Sequence, residues 1–238
     1  MTMKTIRSTD PQLKHQTMDQ GTLDWIIDNE PKDLIGVSPY KIGDKEIDLI
    51  KKHVPERGWF CEEVRADSIH GLRHLLRVCI YSLSLSERED KRNTLISSLL
   101  HDIRRLNDNR DHGHGERSAN WFMENIPMIE EKFEVTLEEE DKEEIYNTIF
   151  YHEISYEQMD EDVYKKHKET IDILKTSDAI DRYRQPKIKW WPDQRYLKLI
   201  PQESIKRMAY DLTVSSETLY LQGLSGVESV FKSLKHDK

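Results

Sequence analysis

Cysteine is scarce in this chain, and it lacks long hydrophobic runs. Only Cys61 and Cys79 occur among 238 residues, with no CxxC pair, which argues against a disulfide framework and favours a reduced, cytoplasmic setting. No apolar run approaches the roughly 18 residues of a membrane span. The N-terminal Lys4 and Arg7 are followed by no apolar core of the kind that a secretory signal has. We therefore expect a cytoplasmic protein without a membrane partner.

An excess of positive charge is also missing. The chain has 36 Lys and Arg against 45 Asp and Glu, which gives a formal net charge of −9. A protein that coats extended nucleic acid needs a basic face, so the net charge argues against this function class. A nucleotide substrate stays open, because a local arginine cluster is enough to bind one phosphate.

Period-two alternation, the signature of half-buried strands, is absent as well. Apolar residues instead recur at spacings of three and four, most clearly from Leu72 to Leu83, which predicts amphipathic helices and an all-α fold. We expect Pro127 to end one helix and residues 186–201 to form a long loop. The predicted helices cover residues 23–27, 47–54, 72–83, 95–100, 118–126, 137–154, 171–183, 204–221 and 227–234.

The chain length suits one well-cored domain with appendages. We assign residues 1–64 to an N-terminal arm with short helices, of which the first 20 or so form a mobile arm or an oligomer contact. Residues 65–200 form the central domain. Residues 201–238 form a C-terminal helical extension packed on the same domain. Association into a homo-oligomer stays open.

A His-Asp pair at the polar end of an apolar helical run is the most informative motif. His101 and Asp102 follow the run that ends at Leu100, His74 lies on the preceding helix, and Asp178 lies on a later one. Burying such groups together carries a large desolvation cost unless a cation holds them. Nitrogen and oxygen ligands without thiolate suit Mn, Fe, Co, Ni, Zn or Mg. These four residues are therefore the predicted ligands of a divalent metal.

Three further histidines leave the ligand set open. His114 begins a predicted helix and His152 ends one; they either hold a second metal or line the cleft. His70 lies four residues before His74, which predicts the same helix face, and it is an alternative ligand to His74. We expect one metal, with two possible, and assign His70 to the substrate.

These motifs resemble the HD-domain superfamily of metal-dependent phosphohydrolases, over roughly residues 65–200. They are similar to a bacterial subset with an HGxxHxxRV opening, here His70–Val78, and an HDxRRxND centre, here His101–Asp108. The resemblance implies an HD-type helical bundle with N- and C-terminal helical extensions. In binuclear members of the superfamily, the counterpart of Asp102 bridges two metals.

The resemblance also implies hydrolysis of a phosphate ester, of the class of a nucleotide or a related small metabolite. The residues assigned to catalysis and to balancing phosphate charge are Asp102, Arg104, Arg105 and Lys175. The residues assigned to substrate contacts are His70, Asn107 and Arg182. Asn107 and Asp108 either anchor their loop or position water, and Asp181 with Arg182 is expected to form a pair that orients the site.

Two other functions fit the same motifs. Some HD-domain relatives are di-iron oxygenases, and such a site would use His74, His101, Asp102, His114, His152 and Asp178. The other is an HD module that binds a nucleotide without turnover. Trp190 and Trp191 either stack a base or pack their loop onto the core, and the second interpretation is favoured.

Overall fold

A computed structural model describes residues 15–234, and within them the chain is all-helical with no strand, as predicted. Residues 1–14 of the predicted arm lie outside the described residues. Among residues 15–234, no helix combines the length and the apolar character that crossing a bilayer requires. The helices are α1 Gln20–Asp28, α2 Asp44–Lys52, α3 Leu72–Leu85, α4 Arg92–Leu100, α5 His114–Glu124, α6 Ile126–Phe133, α7 Glu139–Tyr151, α8 Glu161–Ile180, α9 Glu203–Leu221 and α10 Gly226–Ser233.

Most helix boundaries differ from the prediction by a few residues, and two differences are larger and have a clear local cause. Pro127 begins a helix instead of only ending one, because it lies in the first turn of α6, where a missing N–H breaks no helical hydrogen bond. Helix α8 begins at Glu161, well before its first apolar residues. The carboxylate of Asp160 caps it by accepting hydrogen bonds from two backbone N–H groups of its first turn. A polar, well-capped first half is invisible to a search for apolar periodicity.

Helix α3 lies at the centre of the molecule. Helices α4, α8, α9 and α10 all pack against it, and its residues from Leu72 to Leu83 are buried on every side. One connected hydrophobic core runs from Leu23 in α1 to Phe231 in α10. The same core therefore joins the three segments that the sequence distinguishes.

The loop after α8 packs back onto this core through a tryptophan. The ring of Trp191 meets the rings of Trp25 and Tyr183 edge-on, at centroid distances of 5.9 Å and 5.5 Å. Its indole N–H donates to the carbonyl of Gln185 at 2.7 Å. For Trp191, packing is therefore the observed role.

A buried ion-pair hub attaches α9 to α3. Glu217 on α9 accepts from Nη1 of Arg77 at 2.7 Å and from Nε of Arg73 at 3.0 Å. All three side chains are at most 2% exposed. The C-terminal extension thus contacts the helix that carries His74.

Candidate metal centre

Four imidazoles and two carboxylates meet in one cluster at the centre of the helical bundle. Each comes from a helix or a helix end, and the five helices concerned, α3, α4, α5, α7 and α8, form one packed group. Five of the six residues are at most 7% exposed, and the sixth has a side chain that is 19% exposed. The six residues of this cluster are His74, His101, Asp102, His114, His152 and Asp178.

Part of the cluster has the spacing of ligands around one ion. Nε2 of His74 lies 3.2 Å from Nε2 of His101 and 3.5 Å from Oδ1 of Asp178. Two tetrahedral ligands that each lie about 2.1 Å from a metal are about 3.4 Å apart. The three donor atoms of His74, His101 and Asp178 lie within 4.8 Å of one another. This geometry fits a first divalent metal.

A second group of donors adjoins the first through Asp102. Nε2 of His114 lies 3.0 Å from Nε2 of His152, and Oδ1 of Asp102 lies 3.1 Å and 3.5 Å from these two atoms. The other oxygen of Asp102 lies 3.6 Å from Nε2 of His74. Asp102 therefore contacts both pairs of imidazoles. Its Oδ1 is buried, so it needs a partner, which is either the proton of His114 at 3.1 Å or a cation.

Each imidazole is oriented by a contact to its Nδ1, the ring nitrogen that points away from the cluster. Nδ1 of His101 lies 2.8 Å from the Ser98 carbonyl, and Nδ1 of His152 lies 2.6 Å from the Ile149 carbonyl. A carbonyl only accepts, so each Nδ1 carries the proton and each Nε2 presents its lone pair to the cluster. Both carbonyls are three residues back, at the end of a helix. The helix ends therefore set the tautomer that metal binding requires.

The remaining two imidazoles are held partly by carboxylates. Nδ1 of His74 lies 2.8 Å from Oδ2 of Asp181. Nδ1 of His114 lies 3.0 Å from Oε2 of Glu153 and 2.6 Å from the Asp111 carbonyl. All four Nε2 atoms thus face inward. With lone pairs in contact at 3.0–3.2 Å, the arrangement is repulsive unless a proton or a metal lies between them.

The local electrostatics give His101 and His114 different pKa values. Burial lowers the pKa of His101 to about 3, so this ring is neutral at pH 7. For His114 burial also lowers the pKa, but the Asp102 and Glu153 carboxylates outweigh it and raise the pKa to about 9. A metal that binds His114 at neutral pH must therefore displace a proton.

Two glycines permit the close approach that forms the cluster. A Cβ on Gly115 would lie 2.9 Å from the carbonyl oxygens of Ile149 and Phe150, so α5 meets the end of α7 only without a side chain there. A Cβ on Gly71 would lie 2.3 Å from the Ala66 carbonyl. The glycine in each His-Gly motif thus has a packing reason.

Of the two arginines after the His-Asp pair, the structure brings Arg105 to the cluster. Nη1 of Arg105 lies 3.5 Å from Oδ2 of Asp102 and 3.2 Å from Nε2 of His114. Arg104 instead donates from Nη1 to the carbonyl of Trp59 at 2.9 Å. Asn107 anchors the loop, since its side-chain Oδ1 accepts from the backbone N–H of Asn109 at 2.9 Å and its backbone carbonyl accepts from Nε of Arg105 at 3.0 Å.

Lys175 on α8 and Arg182, just after the end of α8, flank Asp178 in different ways. Nζ of Lys175 donates to the carbonyls of His152 and Ile154 at 3.0 Å and 2.6 Å, so it holds the end of α7. Burial lowers its pKa to about 8. Nη2 of Arg182 lies 3.6 Å from Oδ2 of Asp178, and its side chain is 53% exposed. Arg182 therefore stands at the open edge of the cluster.

The prediction that His70 and His74 share a helix face is wrong, because α3 begins only at Leu72. His70 still reaches the site: its ring centroid lies 5.6 Å from that of His74. Its Nδ1 lies 2.8 Å from Oδ1 of Asp108. The other oxygen of Asp108 accepts from the backbone N–H of Gln16 at 2.7 Å, so Asp108 anchors its loop.

Asp181 orients His74, as expected, but its partner is not Arg182. Arg77 donates to both of its oxygens, at 2.7 Å and 3.1 Å, and Arg184 donates to Oδ2 at 3.1 Å. The arginine of the HGxxHxxRV motif thus fixes the carboxylate that fixes His74. Sequence reasoning missed this role, because the contact joins residues 104 positions apart.

Glu153 is a further residue that sequence reasoning missed. Its Oε1 accepts from the backbone N–H of Gly115 at 2.7 Å, and its Oε2 contacts His114. Burial raises its pKa, but His114 and the Gly115 N–H outweigh this and lower the pKa to about 2. Its position directly after His152 is the one signal that the sequence offered.

Replacing Glu153 by Gln is expected to weaken metal binding at the His114 pair by about tenfold, since outer partners of metal ligands typically have effects of this size. The substitution keeps the shape but removes the charge that orients His114. Titration of the metal-free protein with Mn²⁺ in a calorimeter measures the change. Glu157→Gln, an exposed neighbour, is the control. Equal affinities for the two variants would contradict the assigned role.

Comparison of the chain with models of protein families, with curated proteins and with solved structures finds no match in any of the three. Histidine and aspartate clusters hold metals in several enzyme classes, so the ligand types alone do not define a reaction. The functional argument therefore depends on the geometry and the charge of this cluster.

Proposed function

We propose that the cluster binds one or two divalent metals and that the protein hydrolyses a small phosphate ester, such as a nucleotide, as an HD-type phosphohydrolase of the cytoplasm. The observation that carries the proposal is the position of Asp102, whose two oxygens lie 3.1–3.6 Å from the Nε2 atoms of His74, His114 and His152. His74, His101 and Asp178 would hold the first metal. His114 and His152, with Asp102, would hold the second.

A divalent metal, when bound, lowers the pKa of water and neutralises phosphate charge. Side chains of the protein would bind the phosphate, attract the anionic substrate and hold the metal ligands in place. Nε and Nη2 of Arg105 donate to the backbone carbonyls of Asn107 and Asn109, so Nη1, which contacts Asp102 and His114, is the nitrogen that would donate to a phosphate oxygen. Arg182 lies where the cluster opens to solvent, so it meets an anionic substrate first. Lys175 keeps His152 in place through the end of α7.

The two neighbouring arginines offer a matched pair of variants. Arg105→Ala is expected to lower kcat/KM by about 10²-fold, the effect of removing one donor to developing charge. Arg104→Ala is expected to stay within about threefold, because Arg104 contacts a loop carbonyl. Steady-state kinetics on the best substrate, with circular dichroism as the folding check, measures both. A larger loss for Arg104 would reverse the assignment.

The proposal is tested first by elemental analysis of protein purified without air or chelator. We expect one or two Mn, Co, Ni or Zn ions per chain and metal-dependent release of phosphate from a nucleotide panel. His74→Ala should lose both, and His112→Ala, an exposed histidine of the nearby loop, should lose neither. Metal binding and hydrolysis that survive in His74→Ala would sink the proposal.

A di-iron oxygenase is the second candidate, because Asp102 lies between His74 on one side and His114 on the other, with one oxygen near each. The same analysis separates the two candidates. About two irons per chain, with colour and oxygen sensitivity, would favour the oxygenase. Tight nucleotide retention without product would instead favour a binding module.

A further inference from the structure

A cavity away from the metal cluster has the features of a ligand site. It has a volume of about 310 Å³ and lies between α2, the start of α4 and the end of α6. None of its lining residues belongs to the metal cluster. Ligand pockets in proteins begin at about this size and combine an apolar wall with few polar groups.

The wall of the cavity is apolar. Leu95 and Ile96 line it from α4, Leu49 from α2, and Phe133 with Val135 from the end of α6. The rim carries three cations and three anions, so its formal charge is balanced. The rim residues are Lys45, Glu46, Glu89, Asp90, Lys91 and Arg92. A balanced rim over an apolar wall favours a neutral ligand over an ion.

His53 supplies one oriented polar group to the cavity. Its ring stacks on Phe133 at a centroid distance of 5.1 Å and an interplanar angle of 13°. Its Nδ1 lies 3.0 Å from the Lys132 carbonyl, so Nδ1 carries the proton and Nε2 presents a lone pair. Burial lowers the pKa of His53, which keeps the ring neutral at pH 7. Within the described residues, no hydrogen bond to Nε2 is found.

We propose that this cavity is a second binding site, which takes a neutral aromatic molecule of about two fused rings with an N–H or O–H group that donates to Nε2 of His53. A cavity of about 150 Å³ is enough for benzene, so about 310 Å³ admits a bicyclic ring. The stacked imidazole and phenyl rings offer an aromatic edge for such a ligand. Indole has this chemistry and is the probe.

The test is a titration of the full-length, isotope-labelled protein with indole, followed through backbone amide signals in two-dimensional NMR. We expect saturable shifts concentrated at the lining residues Leu95, Ile96 and Phe133. No saturable shift up to the solubility limit of indole would overturn the proposal. The titration uses neither metal nor turnover, so its outcome is independent of the proposed hydrolysis.

Two variants sharpen the test. Leu49→Trp fills the cavity from its partly exposed rim and should abolish the shifts, whereas Val64→Trp, at a position 54% exposed elsewhere, should leave them.

His53→Phe keeps the stacked ring and removes the acceptor, so indole should bind about three- to tenfold more weakly, the effect of one hydrogen bond. Toluene, which has no hydrogen-bond donor, should bind the parent protein and His53→Phe with equal affinity. Unchanged indole affinity in Leu49→Trp would show that indole does not bind in this cavity. Unchanged indole affinity in His53→Phe would show that the ligand does not donate to Nε2 of His53.

Discussion

Asp102→Asn is expected to lower kcat/KM for phosphate hydrolysis by at least about 10³-fold and to reduce the bound metal. Asp102 contacts both imidazole pairs, with Oδ2 3.6 Å from His74 and Oδ1 3.1 Å from His114. The amide has the same shape but no charge and one fewer acceptor oxygen. The substitution therefore leaves an acceptor oxygen for only one of the two groups and removes the negative charge from both, which exceeds the effect of losing a single charge-stabilising donor.

Metal content by elemental analysis and steady-state kinetics on the same preparation measure the two effects of this substitution separately. Asp172→Asn is the control, because Asp172 is equally buried on α8 but accepts from Tyr156 and Tyr164 instead of contacting the cluster. Circular dichroism shows whether each variant is folded. If Asp102→Asn kept its full metal content and turnover, Asp102 would be neither a required metal ligand nor a catalytic residue.

The positions of the cluster residues were largely predictable, since each signal was local. A histidine after an apolar run, as at His101, predicts a helix end that faces the core, and His114 and His152 lie at helix ends as expected. The all-α fold followed from apolar spacing in the same way. Apolar periodicity and the signals that start and stop helices depend on residues close together in the chain, so the sequence alone contains them.

The partners of these residues were not predictable. Asp181 pairs with Arg77 and Arg184 instead of Arg182, and Glu153 reaches back to His114. Such contacts depend on how helices pack, and one sequence does not show which of many charged residues meet. His70 shows the same limit, because its place beside His74 comes from the turn before α3.

The buried charges that hold α9 to α3 lead to the second large effect. Glu217→Gln is expected to lower the free energy of unfolding by about 3 kcal/mol at pH 7, near the lower end for breaking a buried ion pair. Arg73 and Arg77 would stay buried with less compensating charge. The loss is not larger, because Arg77 keeps Asp181 and the guanidinium of Arg73 lies 3.5 Å from the Tyr220 ring.

Urea unfolding of the two proteins at several pH values tests both the size and the origin of this effect. Burial raises the pKa of Glu217, but Arg73 and Arg77 outweigh it, so the folded-state pKa lies below the ordinary 4.5. A depressed carboxyl pKa stabilises the fold above pH 4.5 and loses this contribution as the pH falls through the folded value. The difference between Glu217→Gln and the parent protein should therefore be full at pH 7 and shrink below pH 4.5.

Glu161→Gln on α8 is the control. Its side chain is 80% exposed and pairs within about one turn with Lys165, which is itself 64% exposed, so we expect a change of less than about 1 kcal/mol. If Glu217→Gln were no more destabilising than this control, the hub would contribute no net stability, and apolar packing alone would hold α9 against α3. If the difference were large but independent of pH, lost packing or hydrogen bonding would explain it instead of charge.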